Sequence, residues 1–252
     1  MFRREGPARD VRTNMLLAVH LAGTAGFVNS GGFVMIGSFT SHVTGSVGRF
    51  ANDLANGHPA AALSALFMVL SFFFGAVLAS LLLEDDRVRA PLRYGTVLGI
   101  EAALLLGFVF IAGLSRTTHP RLLDAMAALL CVAMGIQNSL VTRLSGAVVR
   151  TTHLTGVVTD LGIECVRWYR WYHHRLLAPA RGSVPPRPPP DARIALLAAI
   201  TFSFMIGATV GAVLTARASR WAMCLPACLI GVTSGFAFYQ ARRHDDHPRK
   251  PA

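Results

Sequence analysis

The chain has 252 residues, of which 53% are hydrophobic and only 15% charged, with a mean hydropathy of +0.48. This balance excludes an ordinary soluble domain and a disordered chain, and it places the protein in the membrane class. A net charge of +11 would suit nucleic acid in a soluble protein, but here the arginines gather between apolar runs, where they orient a membrane protein, so no nucleic-acid partner is expected.

In chain order, Thr13 to Gly48 is interrupted only by His20 and His42, and predicts a first crossing over about 14–36. Arg3, Arg4, Arg9 and Arg12 precede it and imitate a secretory signal, yet the further spans make a retained first helix the expected reading. A charge-free run over 60–83 gives the second crossing, and 94–114, broken only by Glu101, gives the third. The remaining crossings fall at about 122–141, 194–216 and 220–240. Each is near or above the ~18 to 20 residues that span a bilayer as a helix. Helices are required because backbone groups in lipid must satisfy one another, and barrel-type alternation is missing from the sequence. The expected fold is therefore all-α, a polytopic membrane protein of about six transmembrane helices in a single membrane domain over 1–252.

Between the fourth and fifth crossings, Trp168, Tyr169, Trp171 and Tyr172 alternate with arginines, a composition suited to the lipid headgroup layer. The proline run Pro185 to Pro190 follows, so 178–191 is expected to be a flexible Pro-rich cytoplasmic linker. Placing the N-terminus, 84–93, 142–193 and the C-terminus on one side puts 19 of the 24 basic residues there, which predicts cytoplasmic termini.

A polar hexapeptide occurs twice, as Thr40-Ser-His-Val-Thr-Gly45 and Thr151-Thr-His-Leu-Thr-Gly156. Upstream of the two copies stand Gly26-Phe-Val-Asn29 and Gly135-Ile-Gln-Asn138; downstream come small residues four apart, Gly75 and Ala79, then Gly207 and Gly211. Three features in matching order argue for an internal repeat with halves 14–114 and 122–240. The motif segments 40–56 and 147–166 leave two topologies open. If they do not cross, each half has three crossings and the repeats are inverted, an architecture of transporters. If they cross, the repeats are parallel. The first reading is preferred.

Ionisable and polar groups within spans usually face a cavity or a partner. The expected solute site is a cavity lined by Asn29, His42, Thr44, Gly45, Gln137, Asn138, His153, Thr155 and Gly156: glycine lets backbone approach a ligand, threonine donates and accepts, and imidazole titrates near neutrality. The competing reading of the same residues is helix packing through small and hydroxylated side chains. Overlaying the hexapeptides sets Arg49 on Asp160, which predicts an ion pair across the repeat axis; the alternative is local pairing, Arg49 with Asp53 and Asp160 with nearby arginines. Glu101 has no counterpart and is a candidate proton or cation site, or a structural glutamate paired to His20 or an arginine. Gly75/Ala79 and Gly207/Gly211 read as helix packing. Cys131, Cys165, Cys224 and Cys228 show no metal-ligand spacing and read as buried free thiols. Neither a metal nor another cofactor is expected, and no nucleophile elbow, HExxH, Walker A or dinucleotide fingerprint occurs.

Ala25-Gly-Phe-Val-Asn29, Ser41-His-Val-Thr-Gly-Ser46, Gly135-Ile-Gln-Asn138 and Arg150-Thr-Thr-His-Leu-Thr-Gly156 together resemble the YoaK family of bacterial inner-membrane proteins, a group carrying a domain of unknown function, over roughly 14–240. The resemblance implies a multi-pass protein of the bacterial inner membrane and brings no substrate or reaction with it. The chain departs from the expected pattern at Asn29, where an aspartate is expected, and at Ser46, where an asparagine is expected. The functional expectation is a transporter or permease of a small polar solute. The alternatives are a non-transporting membrane module whose basic linker and aromatic cluster dock a partner protein, and, third, a membrane enzyme.

Overall fold

The computed structural model describes residues 11–114, 120–144, 154–176 and 191–243. All regular structure among them is helical: α1 (Val11–Ile36), α2 (Val43–Ala55), α3 (Pro59–Leu83), α4 (Ala90–Leu114), α5 (Pro120–Leu144), α6 (Leu154–Leu176), α7 (Asp191–Ala218), a 3-10 turn (Ser219–Met223) and α8 (Cys224–Arg242). The helices align closely with the apolar runs because a segment in lipid must bond its backbone to itself. Among the described residues five stretches are long and apolar enough to cross a membrane, and the 50-residue stretch Arg193–Arg242 holds most of α7 and all of α8. The break between those two lies at Ser219, whose φ of 51° is left-handed. Residues 177–190, which include most of the expected Pro-rich linker, lie outside the described residues.

Local signals set the ends of the motif helix. Gly37, with φ of 76°, terminates α1. At the end of α2, Gly57 takes φ of 74°, its N–H donates to Leu54 O, and His58 N–H donates to Asp53 O. This is a Schellman stop, which needs a residue without Cβ at the left-handed position. Pro59 then opens α3 in the first turn, where its missing N–H costs nothing.

Side-chain pairs give the helix directions. Ser203 Oγ donates to Val19 O at 2.6 Å, Gly207 rests on Gly23 O and Gly211 on Phe27 O, so α1 and α7 run parallel. Ser64 meets Asp124, Ser80 meets Ser139 and Glu84 meets Arg143, so α3 and α5 run parallel. In α4 and α8 the numbers run in opposite senses: Gly95 faces Phe238, Gly99 faces Ser234 and Ala102 faces Gly231. Gln137 reaches Leu21 while Gly32 faces Leu130, so α1 and α5 are antiparallel. Leu105 and Phe108 cluster with Met126 and Leu130, and Leu98 and Ala102 with Ile136 and Leu140, which makes α4 and α5 antiparallel. Helices α1, α4 and α7 thus point one way and α3, α5 and α8 the other. Direction alternates without counting α2 or α6, and neither motif helix is among the stretches long and apolar enough to cross a membrane. The 13 residues of α2 would in any case reach only about 20 Å, short of a bilayer core of about 30 Å.

The helices pair most extensively as α1 with α7, α3 with α5 and α4 with α8. The first two pairs are backbone-on-backbone crossings. A Cβ on Gly26 would strike Phe204 O and one on Gly207 would strike Gly23 O; on the other pair, a Cβ on Gly135 would strike Phe72 O and one on Gly75 would strike Val132 O. The step from Gly26 to Gly135 equals that from Gly23 to Val132, and the step from Phe72 to Phe204 equals that from Gly75 to Gly207. Each contact on one pair therefore has its counterpart on the other. Close approach of this kind drives association in lipid, where burying apolar side chains gains little over leaving them in hydrocarbon. Helix α3 is built accordingly, with Ala62, Ala65, Ser71, Gly75 and Ala79 buried and Leu63, Phe67, Leu70, Phe73 and Phe74 facing outward.

Candidate functional site

The first hexapeptide lies where the chain leaves α1 and enters α2. Asn29, near the end of α1, is buried, and its Oδ1 accepts hydrogen bonds from Ser41 N–H at 3.1 Å and Ser41 Oγ at 3.0 Å. This fixes the approach to α2, whose first turn then carries His42, Thr44 and Gly45. His42 O accepts from Ser46 N–H at 3.0 Å and from Ser46 Oγ at 3.3 Å. The imidazole folds over the backbone of Gly45, where any Cβ would collide with Nδ1 and Cε1. That contact explains the glycine at this spacing: it is the seat of the histidine ring.

Around this turn is a cavity of about 180 Å³ lined by Phe33, Ser38, Phe39, His42, Ser46 and Arg49, with Gly37 and Gly45 completing it. Its apolar wall is the stack of Phe33 on Phe39, ring centroids 4.4 Å apart, with His42 edge-on to Phe39 at 6.5 Å. Its polar wall is Arg49, whose Nη1 donates to Ser38 Oγ at 2.5 Å and whose Nε lies 3.8 Å from Asp53 Oδ2. Ligand pockets for drug-sized molecules run to about 300–1,000 Å³, so this volume fits a smaller solute. A guanidinium, an imidazole and two hydroxyls supply donors, and Asp53 lies against the guanidinium.

Of the expected cavity residues, the structure brings His42 and Gly45 together, with Arg49 beside them. Thr44 points outward. Gln137 is fully buried and its Nε2 donates to Leu21 O at 3.1 Å, so it joins α5 to α1 away from the pocket. Asn29 is committed to Ser41, while Asn138 is half-buried on α5. His153 lies outside the described residues. Thr155 is exposed, its carbonyl accepting from Thr159 Oγ1, and Gly156 is half-buried in the first turn of α6. Helix α2 packs on α3 and α6 packs on α7, so the two motif helices have different neighbours.

That packing also corrects the expected ion pair. Arg49 and Asp160 do not pair. Arg49 is held by Asp53 one turn along α2, whereas Asp160 Oδ2 lies 3.5 Å from Arg193 Nη2 at the start of α7. Arg193 Nε also reaches Glu164 Oε1 at 3.4 Å, and Arg167 Nη1 meets the same oxygen at 2.9 Å. Each charge is answered within its own half because each motif helix sits against its own neighbour. This is the local pairing given as the alternative from sequence, Arg49 with Asp53 and Asp160 with a nearby arginine; which arginine it is, Arg193, depends on the packing of α6 on α7. Phe33, Ser38 and Phe39 were hidden inside an apolar run.

Glu101, halfway along α4, is fully buried, and neither carboxylate oxygen has a hydrogen-bond partner among the described residues. His20, one of the partners that the structural alternative offered it, instead meets Thr233 Oγ1 through Nε2 at 2.9 Å. The cysteines are free, but only Cys131 is buried, whereas Cys165 and Cys228 are exposed, correcting the expectation of buried thiols. Exposure on an outward helix face is compatible with an apolar thiol when that face meets lipid. A second cavity, about 600 Å³, lies between α6 and α7 and is lined by Cys165, Trp168, Tyr169, Ile194 and Ala195, with almost no polar group to hold a solute.

The sequence model of a family described as protein of unknown function (DUF1275) matches residues 17–236. No curated protein and no solved structure matches the chain.

Proposed function

Since the chain belongs to the DUF1275 family of proteins of unknown function, we propose that it is a multi-pass protein of the bacterial inner membrane that binds and moves a small polar solute. The observation that carries this reading is the pocket at the first His-x-Thr-Gly copy. His42, Ser46 and Arg49 present hydrogen-bond donors beside the Phe33–Phe39 stack at the end of a membrane-spanning helix. Helix packing alone does not call for an arginine and an imidazole on a cavity wall.

A second support is the geometry of the halves. Matching glycine crossings in α1–α7 and α3–α5, and opposed directions of α1 against α5 and α4 against α8, fit two inverted repeats of three crossings each. Such repeats suit alternating access, because exchanging the conformations of two equivalent halves opens a site to one side and then the other. In this reading the termini and the arginine-rich 142–193 segment face the cytoplasm, in keeping with the positive-inside tendency.

Single cysteines along 40–46 and 151–156, with controls at Gly57 and Arg89, test the reading in a background lacking the native thiols. Transport requires the motif positions to label from water, and the two controls to label from opposite sides. Motif positions closed to reagent from both sides in every condition would assign the hexapeptides to packing and end the proposal.

A further inference from the structure

We propose that Glu101 and Gln137 form an exchangeable site for one positive charge, a proton or an alkali-metal ion, at the centre of the helix bundle. Glu101 lies at the middle of α4 (Ala90–Leu114), beside the crossing where Ala102 meets Gly231 of α8. It is 0% exposed, and neither Oε1 nor Oε2 has a hydrogen-bond partner among the described residues. Gln137 on α5 is also 0% exposed; its Nε2 is spent on Leu21 O, while Oε1 has no partner. The residues flanking the two, Leu98 and Ala102 on α4 and Ile136 and Leu140 on α5, belong to one hydrophobic cluster. Three buried acceptor oxygens on two helices that pack together thus lack a partner among the described residues.

A carboxylate buried in such a medium needs a positive counterpart, because isolating its charge from water is costly. Among the described residues, the cations on the helices packed against α4 are engaged or exposed elsewhere. On α4 itself, Arg93 donates to Leu83 O and meets Asp86. On α5, Arg143 pairs with Glu84 and Asp124 accepts from Ser64, while Cys131 carries only a thiol. Helix α3 carries no charge between 60 and 83. Arg220 of the 3-10 turn lies over Trp221, Arg243 lies over Tyr239, and Arg242 is exposed at the end of α8. His20 of α1 is bonded to Thr233.

The donor set also limits the ligand. One carboxylate balances one positive charge, and a carboxamide oxygen adds a neutral, hard ligand of the kind a proton or alkali ion accepts. No group of three or more His, Cys, Asp or Glu gathers among the described residues, which disfavours a transition metal. The site is separate from the pocket at His42 and does not depend on the solute reading.

The test is thermal unfolding of the purified full-length protein in detergent, first across pH, then at fixed pH with sodium chloride replaced by N-methylglucamine chloride at constant ionic strength. For a proton site the wild-type midpoint falls as protons are withdrawn and ignores sodium; for an alkali site it falls as sodium is replaced. In either case Glu101→Gln abolishes the shift and Gln137→Leu reduces it. A wild-type midpoint insensitive to both, or a shift that survives at full size in Glu101→Gln, overturns the proposal. Should Glu101→Gln fail to fold, dicyclohexylcarbodiimide modification of the wild type at Glu101, read by mass spectrometry, decides the matter. A modification rate that changes with sodium or pH supports the site, and a rate unaffected by either removes it.

Discussion

Asn29 Oδ1 accepts both hydrogen bonds that Ser41 donates, from N–H at 3.1 Å and from Oγ at 3.0 Å. The two residues belong to the two sequence elements that occur in each half of the chain, and their contact is what ties the end of α1 to the beginning of α2. The carboxamide is thus an acceptor of hydrogen bonds before it is anything else. An aspartate, the residue expected here from the family resemblance, would accept the same two bonds.

Replacing Asn29 should therefore separate the role of acceptor from that of amide. Asn29→Ala leaves the Ser41 N–H without its partner and should cost about 1–3 kcal/mol. Asn29→Asp should unfold within a few degrees of wild type. Equal thermal midpoints for wild type and Asn29→Ala would show that this bond does not hold the turn.

The glycine crossings predict matched effects in the two halves. Gly26→Ala and Gly135→Ala each drive a methyl group into a carbonyl of the facing helix, at Phe204 and Phe72 respectively. Both should lose at least about 1–3 kcal/mol, the usual cost of overpacking, because backbone cannot step aside as a flexible side chain does. Gly107→Ala, where nothing stands within 4 Å, should be neutral or slightly stabilising. Folded yield and unfolding midpoint of the three variants make the comparison.

At the pocket, Gly45→Ala should displace the His42 ring and lower stability, and the effect should vanish when His42 is already alanine. The double-mutant cycle measures this coupling, expected at about 0.5–3 kcal/mol for side chains in contact. Additive effects of the two substitutions would mean that the ring does not rest on Gly45.

Charge exchange gives a further test. Arg49→Asp combined with Asp160→Arg should not recover what either single variant loses, since Arg49 is answered by Asp53 and Asp160 by Arg193. Arg193→Gln should destabilise by about 1–3 kcal/mol, as it strips one of two arginines from the buried Glu164. Recovery in the exchanged protein, seen in its unfolding midpoint, would restore the cross-repeat pair.

Much of the architecture was legible because it rests on local properties. Whether a stretch such as 60–83 enters a bilayer depends on the sum of its own side chains, and the helix found there is Pro59–Leu83. The stop at Gly57 and the start at Pro59 are local too. The recurrence of His-x-Thr-Gly marked the turn at which the pocket lies, although it could not identify the wall. Phe33 and Phe39 look like any lipid-facing residues until the chain turns back at Gly37 and stacks one ring on the other.

By itself the sequence determined an all-helical membrane protein, the apolar runs that become its spans, and the place of the polar turn. Only the tertiary structure decided that α1 lies along α7 and α3 along α5, that Arg193 rather than Arg49 meets Asp160, and that Glu101 meets no partner among the described residues. The reason is physical: transfer into lipid is additive along a segment, whereas a crossing at Gly26 and Phe204, or a charge met across two helices, depends on surfaces far apart in the chain fitting together.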